Sequence, residues 1–131
     1  MSDIYFKQLE LGPMANFVYL IGDPATHEAA VVDPAWDTAR ILKTADKDGF
    51  KIRHVLLTHG HPDHIGGAEE LAAKAGATVY MHEADASWLG VSKTQARFLK
   101  DGEVLKVGET PITCLHTPGH TPGSVCFLVD S

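Results

Sequence analysis

The segment that most constrains this chain is Val55-Leu56-Leu57-Thr58-His59-Gly60-His61-Pro62-Asp63-His64, where an apolar run passes directly into a cluster of ionisable side chains. An apolar run without polar alternation marks a strand covered on both faces, which requires layers of structure above and below it. The residues after it predict a helix from about Asp63 to Ala75, with Ile65, Ala68, Leu71, Ala72 and Ala75 inward and Gly76 as its stop. The cluster therefore falls just beyond the carboxyl end of a buried strand, where open α/β sheets place their ligand sites.

The rest of the chain agrees with such layers. Strands are predicted over residues 4–9, 17–21 and 29–32, divided by Gly12-Pro13 and Gly22-Asp23-Pro24. A helix follows, with Ala35, Ala39, Leu42 and Ala45 on one face and Gly49 ending it. Residues 78–81 read as a strand, and residues 83–101 as irregular chain with a short helix near 84–89. Closing strands are expected at 104–107, 112–115 and 125–129; the last is apolar on both faces and so is expected inside a covered sheet. Strands alternating with helices, then further strands, predict a layered α/β fold, and 131 residues are a one-domain length.

Composition narrows the function. No apolar run approaches the roughly 20 residues of a membrane helix. Residues 1–7 carry neither a basic leader nor a hydrophobic segment, so the cytoplasm is the expected compartment. Seventeen acidic residues against eleven basic ones give a net charge of −6, which disfavours nucleic acid as a partner. Cys114 and Cys126 are too few for a disulfide framework and are expected as buried free thiols. Histidine is the anomaly, with eight copies.

His59 and His61 are two apart, so an extended backbone aims both imidazoles to one side. Asp63 and His64 follow on the first turn of the helix, Gly60 permits close approach to an ion, and Gly66-Gly67 permit tight packing behind it. Clustered imidazoles and a carboxylate have no core-packing purpose. They form a nitrogen-and-oxygen donor set suited to zinc, iron or manganese rather than calcium. Farther on, His116-Thr117-Pro118-Gly119-His120-Thr121-Pro122-Gly123-Ser124 sets His120 at the apex of a loop pinned by two Pro-Gly pairs, as a third ligand requires. His116 is expected to orient His120 from behind, and Asp33 to buttress the metal loop by accepting backbone hydrogen bonds. His82 is expected in a structural hydrogen-bonding role at a strand end, His27 and His54 at the surface, and Trp36 and Trp88 in the core or a cleft wall.

His59-x-His61-x-Asp63-His64, the Thr117–Ser124 segment and the earlier Val31-Val32-Asp33-Pro34 together resemble the metallo-β-lactamase superfamily, particularly its glyoxalase II-like (hydroxyacylglutathione hydrolase-like) members, over nearly the whole chain. The resemblance implies an αββα sandwich with the metal site at one edge. It implies His59, His61 and His120 around a first metal, with Asp63 and His64 belonging to a second. It also implies hydrolysis of a small-molecule thioester by water whose pKa zinc lowers from about 15.7 to about 7, with Asp63 orienting that water or taking its proton. The family's bridging aspartate and a further histidine lie in a C-terminal half beyond Ser131, and Asp130 follows His120 too soon to match the former.

The chain is accordingly expected to be the N-terminal half of the fold, completed by a second copy or a complementing C-terminal fragment and weakly active alone. The alternatives are a mononuclear-iron persulfide dioxygenase-like oxidoreductase and a non-catalytic metal-binding half-domain. Nuclease relatives share the histidine pattern but fit the acidic charge poorly, and flavodiiron-type relatives usually carry glutamate where His61 stands.

Overall fold

A computed structural model describes residues 4–11, 16–34, 38–58, 68–82, 96–117 and 125–129. In chain order the elements are β1 (Tyr5–Leu11), β2 (Asn16–Asp23), β3 (Glu28–Val32), α1 (Thr38–Lys47), β4 (Lys51–Leu56), α2 (Ala68–Ala75), β5 (Thr78–His82), β6 (Ala96–Leu99), β7 (Val104–Val107), β8 (Thr110–His116) and β9 (Val125–Val129). Strands β1 to β6 lie side by side in one sheet in sequence order, and β7 to β9 form a second sheet. The first three strands are an antiparallel meander, while β3, β4, β5 and β6 run parallel. The second sheet is antiparallel throughout.

The apolar run predicted to be covered on both faces is the centre of this arrangement. Val55, Leu56 and Leu57 are all fully buried. Val55 and Leu57 face the helices, among Val31, Ile41, Leu71 and Val79. Leu56 points the other way, toward Val107, Ile112 and Cys114 of the second sheet. Side chains alternate across a strand, so such a run survives only between two apolar layers. The result is helices, mixed sheet, second sheet: the α/β layering expected of this chain.

Both described helices stop where glycine was expected to stop them. Gly49 and Gly76 have φ of +83° and +67°. The amide of Phe50 reaches back to the Ala45 carbonyl at 2.8 Å, and that of Ala77 to Ala72 at 3.0 Å. These are the bonds of a Schellman cap, which needs a left-handed residue after the last turn.

Several expectations are corrected. The inward face of α1 is Thr38, Ile41 and Ala45, with Ala39 exposed, because burying the larger Ile41 rotates the helix away from the alanine stripe. Residues 96–99 form strand β6 on the parallel edge of the first sheet, where irregular chain was expected. The predicted helix at 84–89 lies outside the described residues, as do Trp36, Trp88 and the start of the second helix at 63–67. Among the described residues strand β9 is not enclosed: Val125, Phe127 and Val129 face the first sheet, while Cys126 is exposed and Leu128 56% exposed on the other face. The expectation of a buried thiol therefore holds for Cys114 and fails for Cys126.

His54 is also not a surface residue. Ala29 pairs with Ile52 but Ala30 pairs with His54, so Arg53 is the extra residue of a bulge. The bulge changes which side chains face inward, leaving Ile52 against the helices and His54 beside the Tyr80 ring at 5.7 Å. Only 14% of the His54 side chain is exposed. His27 is exposed, as expected.

Candidate metal centre

The edge at which β3, β4 and β5 end is assembled from ties between segments distant in sequence. Asp33, just past β3, takes a left-handed φ of +53°, and its amide donates to the Leu56 carbonyl at 2.9 Å. Its carboxylate turns toward the end of β4, where Oδ1 accepts from the Thr58 amide at 2.8 Å and Oδ2 from the Thr58 hydroxyl at 2.5 Å. Asp33 is 7% exposed, so these charge-assisted bonds satisfy a carboxylate that water barely reaches. Thr58 is thereby fixed at the residue immediately before His59.

Thr58 also reaches the second sheet, its carbonyl accepting from the Val125 amide at 2.7 Å. Val125 opens β9 directly after the Pro-Gly segment, and His116 closes β8 directly before it; the two are register partners. His116 is held separately, with its amide donating to Asp101 Oδ1 at 2.8 Å. Its ring stacks on that of His82 at the end of β5, with centroids 3.9 Å apart and planes 13° from parallel. Thr117 Oγ1 lies 3.7 Å from Cys126 Sγ.

His59, His61, Asp63, His64 and His120 lie outside the described residues. Among the described residues no group of three or more His, Cys, Asp or Glu side chains is arranged to hold a metal. What is described is the chain that flanks the candidate ligands: Thr58 before His59, His116 and Thr117 before His120, and Val125 after it. Sequence reading singled out Asp33 and His116 but passed over Thr58, whose partners lie far from it along the chain. An Asp after one strand and a Thr after the next parallel strand is the only linear signal of that tie.

Beside this edge a cleft of about 660 Å³ opens between the first sheet and β9. Tyr19, Ile21, Val32 and Phe127 make its walls apolar, and Thr58 and Thr117 stand in its lining. Cys114 takes no part as a nucleophile. Burial pushes its thiol up to about 11, with Glu103 and Asp101 adding to the shift, so it stays protonated near neutrality.

The metallo-beta-lactamase superfamily model matches residues 11–131. A hydroxyacylglutathione hydrolase of Rhodopseudomonas palustris is 38% identical over 116 residues, covering 88% of this chain and 44% of that protein. The probable polyketide biosynthesis zinc-dependent hydrolase PksB of Bacillus subtilis is 34% identical over 113 residues, covering 86% of this chain and 50% of that one. A crystal structure of a metallo-beta-lactamase from Staphylococcus aureus superposes with a TM-score of 0.86 at 33% identity, over 98% of this chain and 39% of that chain. The chain thus spans about half the length of the curated relatives it matches. With the layers and the matched residues in agreement, the chain belongs to the metallo-beta-lactamase superfamily.

Proposed function

We propose that this chain is the metal-binding half of a hydrolase that cleaves small thioesters of the hydroxyacylglutathione type. The observation that carries the reading is the bond from the Val125 amide to the Thr58 carbonyl, which joins the residues that flank the two histidine-bearing segments. The donor chemistry fits a divalent cation: His59, His61 and His120 offer neutral imidazole nitrogens, and Asp63 and His64 a second set beside them. Relatives named hydroxyacylglutathione hydrolase supply the substrate class.

Zinc in that site, or iron or manganese in its place, supplies an acidified water near neutral pH and positive charge beside the scissile carbonyl. The residues do the rest. The Asp63 carboxylate orients the attacking water and accepts its proton as the C–O bond forms. The C–S bond then breaks, and the sulfur departs as a thiolate, a leaving group stable enough to need no strong general acid. Asp33 and Thr58 keep the His59 loop in place behind the ligands. The fold's second half, expected from another chain or a C-terminal segment, would complete the site and cover the apolar cleft.

The test is metal content and metal affinity of the chain, followed by thioester turnover. Zinc is expected to bind in a simple ratio to protein, with H59A and H120A each weakening it by about 100-fold or more. Turnover of a hydroxyacylglutathione thioester is expected to be slow for the chain alone and lost on Asp63→Asn. A chain that binds no divalent cation overturns the reading. Bound iron with oxygen uptake and no thioester cleavage replaces it with the persulfide dioxygenase alternative.

A further inference from the structure

The charge of this chain is unevenly spread. Five of its eleven lysines and arginines fall within residues 40–53, where only Asp46 and Asp48 of its seventeen acidic residues occur. A groove of about 530 Å³ lies there, between the second half of α1, the first residues of β4 and the end of α2. Leu42, Phe50, Ile52 and Ala75 give it an apolar floor. Lys43, Lys51 and Arg53 line it as well, and of the described carboxylates only Asp46 does. Among the described residues no carboxylate pairs with any of these three cations, whereas Lys7 is held by Asp48 at 3.1 Å.

The bulge in β4 helps to build the groove. In a regular strand successive side chains point to opposite faces, which would set Arg53 away from Ile52. Arg53 is instead the extra residue between the pairs Ala29–Ile52 and Ala30–His54, and it lines the groove together with Ile52. Lys51 and Arg53 also border a second groove of about 480 Å³ on the side of Thr26 and Glu28. The Glu28 carboxylate there is already engaged, by the Gly108 amide and by His54 at 3.5 Å.

We infer that the first groove binds an organic phosphate, a small molecule whose phosphate meets Lys43, Lys51 and Arg53 and whose apolar part lies on Leu42, Phe50 and Ala75. Its volume is that of a small-ligand site, and an apolar lining with a few convergent charged groups is the usual make-up of one. Arginine and lysine are the side chains that hold phosphate oxygens. An acidic protein partner would need about 800 Å² of matching surface, more than this groove offers. Arg53 stands five residues before Thr58, roughly 15 Å along the strand, so the site is separate from the proposed metal centre and does not rest on it.

The experiment titrates the metal-free chain with naphthyl phosphate, inorganic phosphate and naphthol, following backbone amide shifts by NMR. Naphthyl phosphate is expected to saturate, with shifts concentrated in residues 42–53 and at Ala75, and to bind about tenfold or more tighter than either fragment. K51Q/R53Q should weaken it by about tenfold or more with the remaining amide spectrum unchanged, and K43Q by about threefold. If the double variant does not fold, K43Q and K51Q carry the test singly. Raising salt from about 50 to about 500 mM should weaken binding to the wild type far more than to K51Q/R53Q. Shifts that do not saturate or that fall outside these residues overturn the inference, as does unchanged affinity in K51Q/R53Q. Inorganic phosphate bound as tightly as naphthyl phosphate overturns it too, because the apolar floor then contributes nothing. A hexaglutamate peptide bound more tightly at the same residues replaces the organic phosphate with an acidic partner. Self-association in sedimentation that K51Q/R53Q abolishes makes the groove an interface between copies instead.

Discussion

The Val125 amide donates a 2.7 Å hydrogen bond to the Thr58 carbonyl, which pins the strand leaving one histidine-bearing segment to the residue entering the other. Thr58 is itself gripped by the buried carboxylate of Asp33 through both its amide and its hydroxyl. The relay from Asp33 to Thr58 to Val125 crosses both sheets. It joins Thr58, which enters one segment, to Val125, which leaves the other.

Removing the first link should be costly. Asp33→Ala deletes two charge-assisted bonds and leaves alanine at a φ of +53°. The expected loss is about 2–4 kcal/mol, read from urea unfolding of the metal-free chain. Asn tolerates the left-handed region and can still accept from the Thr58 amide, so Asp33→Asn should lose about half as much.

The opposite edge of the sandwich is fastened by a second buried carboxylate, which makes Gly108 irreplaceable. Asp23 accepts from the Glu109 amide at 2.8 Å and from the Thr26 and Thr110 hydroxyls. Gly108 sits in the same turn at a φ of +60°, and a Cβ there would strike Thr26 Oγ1 and Asp23 Oδ2. Gly108→Ala should cost about 2–4 kcal/mol and lower the melting temperature by roughly 10 °C in a thermal scan.

Asp23 also predicts an acid limb. The Glu109 amide, with help from Thr26, Ala25 and Thr110, holds its carboxyl below the usual range, against the opposing effect of burial. A depressed folded-state pKa contributes stability that is present above the ordinary carboxylate value near 4 and is lost as pH falls through the folded value. Asp23→Asn should therefore be destabilised at pH 7. Its deficit against the wild type should shrink below about pH 4, as measured by urea unfolding across that range.

His54 predicts a limb nearer neutrality. Burial between the sheets pushes its pKa down and Arg53 adds to this, while Glu28, 3.5 Å away, opposes the shift. As pH drops below about 6.5, the unfolded chain takes up a proton that the folded chain resists, so stability falls by at most about 1.4 kcal/mol per pH unit. His54→Phe has no such proton to gain. Its stability relative to the wild type should rise between pH 7.5 and 5.5, and an unchanged difference over that interval would refute the assignment.

What could be read in advance follows from the range of the forces involved. The run at residues 55–57, the glycine helix stops and the histidine-bearing segments are local patterns whose meaning depends on neighbours within one or two turns of chain. The placement of His54 depends on a bulge at Arg53 that periodicity alone does not contain. The exposure of Leu128 follows from its place on the outer face of the second sheet, which no described element covers, since an apolar sequence records what a strand can bury and not what lies against it.

By itself the sequence determined the layered α/β class, the superfamily resemblance and the identity of the candidate metal donors, because hydrophobic period and donor chemistry are written in consecutive residues. Only the tertiary structure decided that Thr58 is the junction between the two loops and that His82 meets His116 face to face. Both contacts join strand ends from different sheets, and such proximity exists only once the sheets have stacked over their shared apolar core.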